Sequence, residues 1–134
     1  MTRVLFVEDD PDQIMIYEVK FRLEGIDLTV ATEEKEVFDA LAKEKIDLIL
    51  LDILIKEQNG LDILEKIRKE ADFKKLPVIV FTNFDKKETR DRAESLGAID
   101  YIIKAQTYPR EMTEKIKAFA KTGIYTKGVS NKSV

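Results

Sequence analysis

The chain has 134 residues, 44% hydrophobic and 37% charged, with a formal net charge of −3 and neither cysteine nor histidine. That balance fits one soluble globular domain with a real core and offers no case for a nucleic-acid binder, whose footprint is basic. Disulfides, thiolate sites, imidazole bases and histidine metal ligands are excluded, so any chemistry falls to carboxylates, hydroxyls, amines or a hard cation.

The opening MTRVLFVEDD turns acidic too early for a secretory signal, and no apolar run is as long as a membrane span, so a cytoplasmic home is expected. RVLFV (3–7) reads as a first strand, followed at once by Glu8, Asp9 and Asp10. Asp10 before Pro11 is an N-cap followed by a proline at the first helical position, and the helix is expected to run to about Glu24 and stop at Gly25. DLTVA (27–31) is the second strand. Thr32 is the expected cap of a second helix, with Val37, Phe38 and Leu41 on one face.

IDLILL (46–51) is the third strand, and it runs straight into Asp52 within the stretch LILLDILI. An isolated buried carboxylate is costly, so Asp52 must either surface at the strand end or meet a cation. A third helix starts near Asn59-Gly60, with Leu64 and Ile67 inward. PVIVF (77–81) is the fourth strand and ends at Thr82; the helix after it spans about Lys86 to Leu96 and stops at Gly97. AIDYII (98–103) ends at Lys104, and a fifth helix begins at Pro109 with Met112, Ile116 and Phe119 on one stripe. GIYTKGVSNKSV lacks helical periodicity, which predicts a domain over 1–122 and a flexible tail, or the start of a linker, over 123–134.

Strand–helix alternation repeated along a chain predicts an open parallel sheet with helices on both faces, and in such sheets ligands bind beyond the carboxyl ends of the strands. Glu8, Asp9, Asp52, Thr82 and Lys104 all fall at those ends. Singly, each has an ordinary structural explanation as turn, cap or surface charge. Together, clustered acids repel unless some pKa values rise or a hard cation binds. Oxygen ligands alone point to Mg2+, and a carboxylate beside Mg2+, a lysine and a hydroxyl is a site that accepts a phosphoryl group.

The blocks VLFVEDDP, DLILLDILIKEQNG, VIVFTNFD and GAIDYIIKA resemble, in order and spacing, those of a response-regulator receiver domain of two-component signalling, over about residues 3–121. The resemblance implies an α/β, doubly wound (βα)5 sandwich of flavodoxin-like type, with strand order 2-1-3-4-5. It implies Asp52 as phosphoacceptor, Mg2+ held by Glu8, Asp9, Asp52 and the Leu54 carbonyl, and Thr82 and Lys104 on phosphoryl oxygens. Tyr101 would be the aromatic that reports phosphorylation on the face of the fourth helix, fifth strand and fifth helix. Asp10 is read as the cap of the first helix.

The implied partners are a sensor histidine kinase or a histidine phosphotransfer protein as donor and an unknown output protein. Neither direct nucleic-acid nor membrane binding is expected, and the state would be a monomer or a weak phosphorylation-dependent dimer. The chain would be a phosphoacceptor, not an enzyme. The alternative is a degenerate receiver that binds protein without phosphorylation. A phosphatase of the haloacid dehalogenase type would want an acid two residues after the nucleophile, where Leu54 stands. A dinucleotide or flavin binder lacks a glycine-rich loop after the first strand.

The family's pattern is broken at several positions. Ala105 follows Lys104 where proline preceded by a cis bond is usual, Asn83 replaces a small residue after Thr82, Lys56 replaces a common proline, and Asn59 replaces a common acid. Leu54 and Phe84, two residues beyond Asp52 and Thr82, are apolar and offer nothing to orient a hydrolytic water, so slow self-dephosphorylation is expected.

Overall fold

The computed structural model describes residues 2–127. The strands are β1 (Arg3–Val7), β2 (Asp27–Ala31), β3 (Leu48–Leu51), β4 (Leu54–Ile55), β5 (Gln58–Asn59), β6 (Val78–Thr82) and β7 (Asp100–Ile103). The helices are α1 (Pro11–Leu23), α2 (Glu34–Lys43), α3 (Gly60–Lys69), α4 (Lys87–Ser95) and α5 (Pro109–Thr122). β2-β1-β3-β6-β7 form one parallel sheet, which is the expected order 2-1-3-4-5 once the short β4–β5 hairpin is set aside.

The strands are apolar on both faces because both faces are covered. Leu5, Val7, Ile49, Leu51, Val78 and Val80 meet the inner sides of α2 and α3, including Val37, Leu64 and Ile67. The alternate set, including Phe6, Leu48, Leu50 and Phe81, packs against Tyr17, Phe21, Met112 and Ile116 of α1 and α5. Tyr17 lies edge-on to Phe6, Phe21 and Phe81, with centroids 5.4–5.6 Å apart. Each fully buried side chain of this size contributes about 1.5–3 kcal/mol relative to exposure.

Side-chain caps open α1 and α3. The Asp10 carboxylate accepts from the Asp12 amide at 2.9 Å, and the Asn59 side chain accepts from the Leu61 amide at 2.8 Å. The α2 start differs from expectation: Glu33 holds the cap position without a side-chain bond, and Thr32 instead donates from its amide and hydroxyl to Glu36 at 2.7 and 2.9 Å. The Glu36 carboxylate thus fastens Thr32 to the first turn of α2, while the cap position itself makes no side-chain bond.

β4 and β5 form a hairpin turning at Lys56-Glu57, where Lys56 has φ 54°. A proline, with φ locked near −65°, has no place at that position. Arg68 also carries an unexpected structural role. Its guanidinium donates to the carbonyls of Leu96, Phe73 and Leu76, each at 2.8 Å, tying the ends of α3 and α4 together.

Of the expected tail, residues 128–134 lie outside the described residues. Residues 123–127 are anchored: Tyr125 packs against the α1–α5 side of the core and its hydroxyl donates to Asp100 at 2.6 Å.

Candidate functional site

Strand register brings the candidate residues to one edge. Val7 is level with Leu51, so Glu8 and Asp52 emerge side by side, and the Asp52 amide donates to the Val7 carbonyl at 3.1 Å. Thr82 is level with Ile103, so Lys104 follows directly beside the end of β6. The sheet thereby gathers residues separated by up to 96 positions in the chain.

At that edge the Lys104 ammonium bridges two carboxylates. It donates to Asp52 Oδ2 at 2.8 Å and to Glu8 Oε1. The three side chains are nearly closed off from solvent, at 9% exposure for Lys104, 8% for Asp52 and 1% for Glu8. The cation sought for Asp52 at the sequence level is therefore present within the chain.

Glu8 Oε2 accepts from the amides of Asp9 and Asp10 at 3.2 and 3.1 Å, so both oxygens of Glu8 are engaged. Burial pushes the Glu8 carboxyl up despite the opposing Lys104 hydrogen bond. For Lys104, burial pulls the ammonium down, but the hydrogen bonds it donates to Asp52 and Glu8 outweigh it and the group sits above the usual lysine range.

Asp52 Oδ1 accepts from the Leu54 amide at 3.2 Å, and Asp9 Oδ2 accepts from the Lys56 amide at 2.8 Å. The hairpin after Asp52 is thus tied to the acidic turn after β1. Leu54, whose carbonyl was expected on the metal, opens that hairpin with a 58% exposed side chain. Gly60 closes the loop beneath Asp52. A Cβ there would lie 2.0 Å from the Asp52 carbonyl oxygen, which only glycine avoids, and the Gly60 amide donates to Ile53 at 2.6 Å.

Thr82 is buried, and its hydroxyl accepts from the Phe84 amide at 3.2 Å. The Phe84 carbonyl accepts from the Tyr101 hydroxyl at 2.5 Å. The Arg90 guanidinium lies 4.5 Å from the Tyr101 ring centroid and donates to Asp85 at 2.6 Å, so a cation caps the aromatic's outer face. Burial raises the Tyr101 phenol. The Lys104–Ala105 bond is trans, as is every peptide bond among the described residues, and the Ala105 amide donates to Asn83 Oδ1 at 2.8 Å.

The carboxylates, with no histidine or cysteine, form a hard donor set that suits Mg2+, an ion that uses one or two carboxylates and keeps several waters. Among the described residues no three such side chains gather closely enough to enclose a metal ion. A water-rich ion needs only one or two carboxylates. Both oxygens of Glu8 and both of Asp52 are engaged by Lys104 and by backbone amides, whereas Asp9 accepts through one oxygen, from the Lys56 amide.

The model of the response regulator receiver domain matches residues 4–117. This chain belongs to the receiver domain family. Response regulator SaeR of Staphylococcus aureus is 34% identical over 116 residues, covering 87% of this chain and 49% of that protein. The chain thus spans about half the length of the curated relatives it matches.

Among solved receiver structures, the CheY-like protein of Methanospirillum hungatei is 27% identical with a TM-score of 0.80, covering 90% of this chain and 94% of that one. The receiver domain of Francisella response regulator 1452 is 26% identical with a TM-score of 0.79, covering 92% and 100%. The BeF3-activated receiver domain of Klebsiella pneumoniae RstA is 26% identical with a TM-score of 0.76, covering 87% and 97%. Both the flavodoxin-like fold and the receiver assignment expected from the sequence hold. No helix among the described residues is long and apolar enough to cross a membrane.

Proposed function

We propose that this receiver accepts a phosphoryl group on Asp52 from a protein phosphohistidine and passes the change to a protein-binding face. The observation that carries the reading is the Lys104 ammonium 2.8 Å from Asp52 Oδ2 at a nearly closed sheet edge. An Asp52 oxygen attacks phosphorus; the P–O bond forms as the P–N bond breaks, and the imidazole leaves with the electron pair and takes a proton. Lys104 holds charge on the acceptor side, and the Thr82 hydroxyl donates to a phosphoryl oxygen.

Glu8, Asp9, Asp52 and the Leu54 carbonyl would hold Mg2+, directly or through its waters, with Glu8 also orienting Lys104 and the acidic turn. When bound, the ion supplies further neutralisation of phosphoryl charge. The activation of the Klebsiella relative by BeF3 agrees with an acceptor role of this kind. The chain is then a stoichiometric acceptor and not a turnover enzyme.

The surface of α1 supports a protein donor. Met15, Ile16, Val19 and Leu23 are 42–75% exposed and share one face of the helix that Asp10 caps. Four exposed apolar side chains on one helix face mark a contact surface better than isolated ones do.

The test is incubation with acetyl phosphate and Mg2+, read by intact mass, beside Asp52→Asn and a metal-free sample. One phosphoryl group is expected on the wild type and none on the variant. An unmodified wild type would instead support the phosphorylation-independent interaction module.

A further inference from the structure

The segment after α5 has no part in the chemistry above, yet it turns back onto the sheet. Among the described residues β7 is an edge strand, paired only with β6. The free edge of such a strand is a template on which another chain can pair. Here the Tyr101 amide is taken by a side chain, Asp100 Oδ1, at 2.8 Å. The other oxygen of the same carboxylate accepts from the Tyr125 hydroxyl at 2.6 Å. Tyr125, like Ile99 and Phe119, packs against the α1–α5 side of the core, and Lys127 shares a cleft of about 180 Å3 with Arg90, Glu94, Asp100 and Tyr101. Residues 123–127 are therefore tied to the edge strand β7 through Asp100 and reach the flank of α4 through Lys127.

These contacts connect to the phosphoacceptor edge without a gap. Phe84 donates to the Thr82 hydroxyl, Tyr101 donates to the Phe84 carbonyl, Tyr101 and Tyr125 both donate to Asp100. Each link is a hydrogen bond of 2.5–3.2 Å. Arg90, stacked on Tyr101, also lines the cleft that Lys127 enters.

We propose that residues 123–127 are an intramolecular strap over the free edge of β7, latched by Tyr125 on Asp100, which keeps other proteins off the α4–β7 face and loosens when Asp52 is phosphorylated. The release rests on the acceptor reading above. A phosphoryl oxygen at Asp52 engages the Thr82 hydroxyl, the loop carrying Phe84 shifts, and Tyr101 moves with the carbonyl it bonds. Asp100 is adjacent to Tyr101 and caps its amide, so the latch loses its geometry. Linkage then requires the reverse effect: a strap that favours the unphosphorylated arrangement opposes phosphorylation by the same factor.

Tyr125→Phe removes one hydroxyl and leaves the ring, and the full chain is compared with wild type by amide hydrogen exchange. The variant is expected to exchange several-fold faster at 99–103 and 123–127, with β1 and β3 unchanged. Wild type treated with acetyl phosphate and Mg2+ should show the same acceleration once intact mass records modification at Asp52. The variant should also reach higher occupancy at a given donor concentration. Unchanged exchange in Tyr125→Phe overturns the latch. Modification of Asp52 without accelerated exchange, or equal occupancy in the two proteins, overturns the coupling while the acceptor reading stands. Absence of modification in both proteins overturns the acceptor reading and the release together.

Discussion

Asn83 and Ala105 are hydrogen-bond partners: the side-chain oxygen of one accepts the backbone amide of the other at 2.8 Å. Each is a departure from the family pattern, and the structure joins them into one feature. A proline at position 105 would have no N–H to give. Alanine supplies the donor, asparagine supplies the acceptor, and the trans loop carrying Lys104 is held without a cis bond. Asn83→Ala is expected to cost about 0.5–1.5 kcal/mol in stability. It should also slow modification of Asp52 several-fold, because Lys104 is less well held. Thermal unfolding and time-resolved intact mass read the two effects; an unchanged modification rate would reduce the pair to loop packing.

Lys104→Met leaves Glu8 buried without its counter-charge. Loss of one partner from a buried pair costs about 3–5 kcal/mol, and the lower end is expected at a rim that water reaches. Glu8 already sits above the usual carboxylate range, and the variant raises it further. A raised native pKa means the native state holds a proton that the unfolded state has lost, so stability falls as pH rises through the native value. The variant should therefore be more stable at mildly acid pH than at neutral pH in metal-free buffer. Wild-type Lys104 is raised above 10.5, so its contribution is complete below that pH and is lost as pH climbs through its native value. Denaturant unfolding across pH checks both signs.

Gly60→Ala places a methyl 2.0 Å from the Asp52 carbonyl oxygen, and backbone cannot yield as a flexible side chain does. The expected loss is about 2–4 kcal/mol. Modification of Asp52 should slow in the folded fraction as well. Chemical denaturation beside phosphorylation kinetics separates the two.

Val19→Glu on the exposed stripe of α1 is expected to change stability by less than about 0.5 kcal/mol. Transfer from a protein phosphohistidine should slow about tenfold, while acetyl phosphate acts unimpaired. Equal loss with both donors would place the effect at Asp52 instead of at the docking face.

Phe84 packs against the α2–α3 side of the core, so substituting it mixes stability with chemistry. Leu54 is exposed at the mouth of the site and gives the cleaner variant. Leu54→Asn introduces a group able to orient water, and the phosphoryl half-life should shorten several-fold with little change in Tm. An unchanged half-life would mean that apolarity at position 54 does not set the lifetime.

Long-range features were the most legible in the sequence. The unbroken apolar runs forced strands covered on both faces, and a carboxylate inside LILLDILI had to meet water or a cation. Glu8, Asp52 and Lys104 do meet. Features decided by one or two backbone angles were hidden. Two-residue strands such as β4 and β5 have no period to detect, and Lys56 with φ 54° carries no turn signature. Arg68 reads as an ordinary surface charge on an amphipathic helix, because nothing local marks the three carbonyls it reaches. The grip of Tyr125 on Asp100 spans 25 positions and follows no pattern in the chain. The bonding of the acids was equally invisible: both oxygens of Glu8 and both of Asp52 are taken by Lys104 and by backbone amides.

The depth of the Glu8–Lys104–Asp52 group has a consequence for ionic strength. Mobile ions screen exposed charges within about 8–10 Å at ordinary salt but act weakly where solvent is shut out. Pairs such as Arg92 with Asp62, or Lys66 with Glu34, stand in the solvent and should fade as sodium chloride is added. The triad at the sheet edge should not, so concentrated brine would soften the protein's outer charge lattice while leaving the acceptor poised.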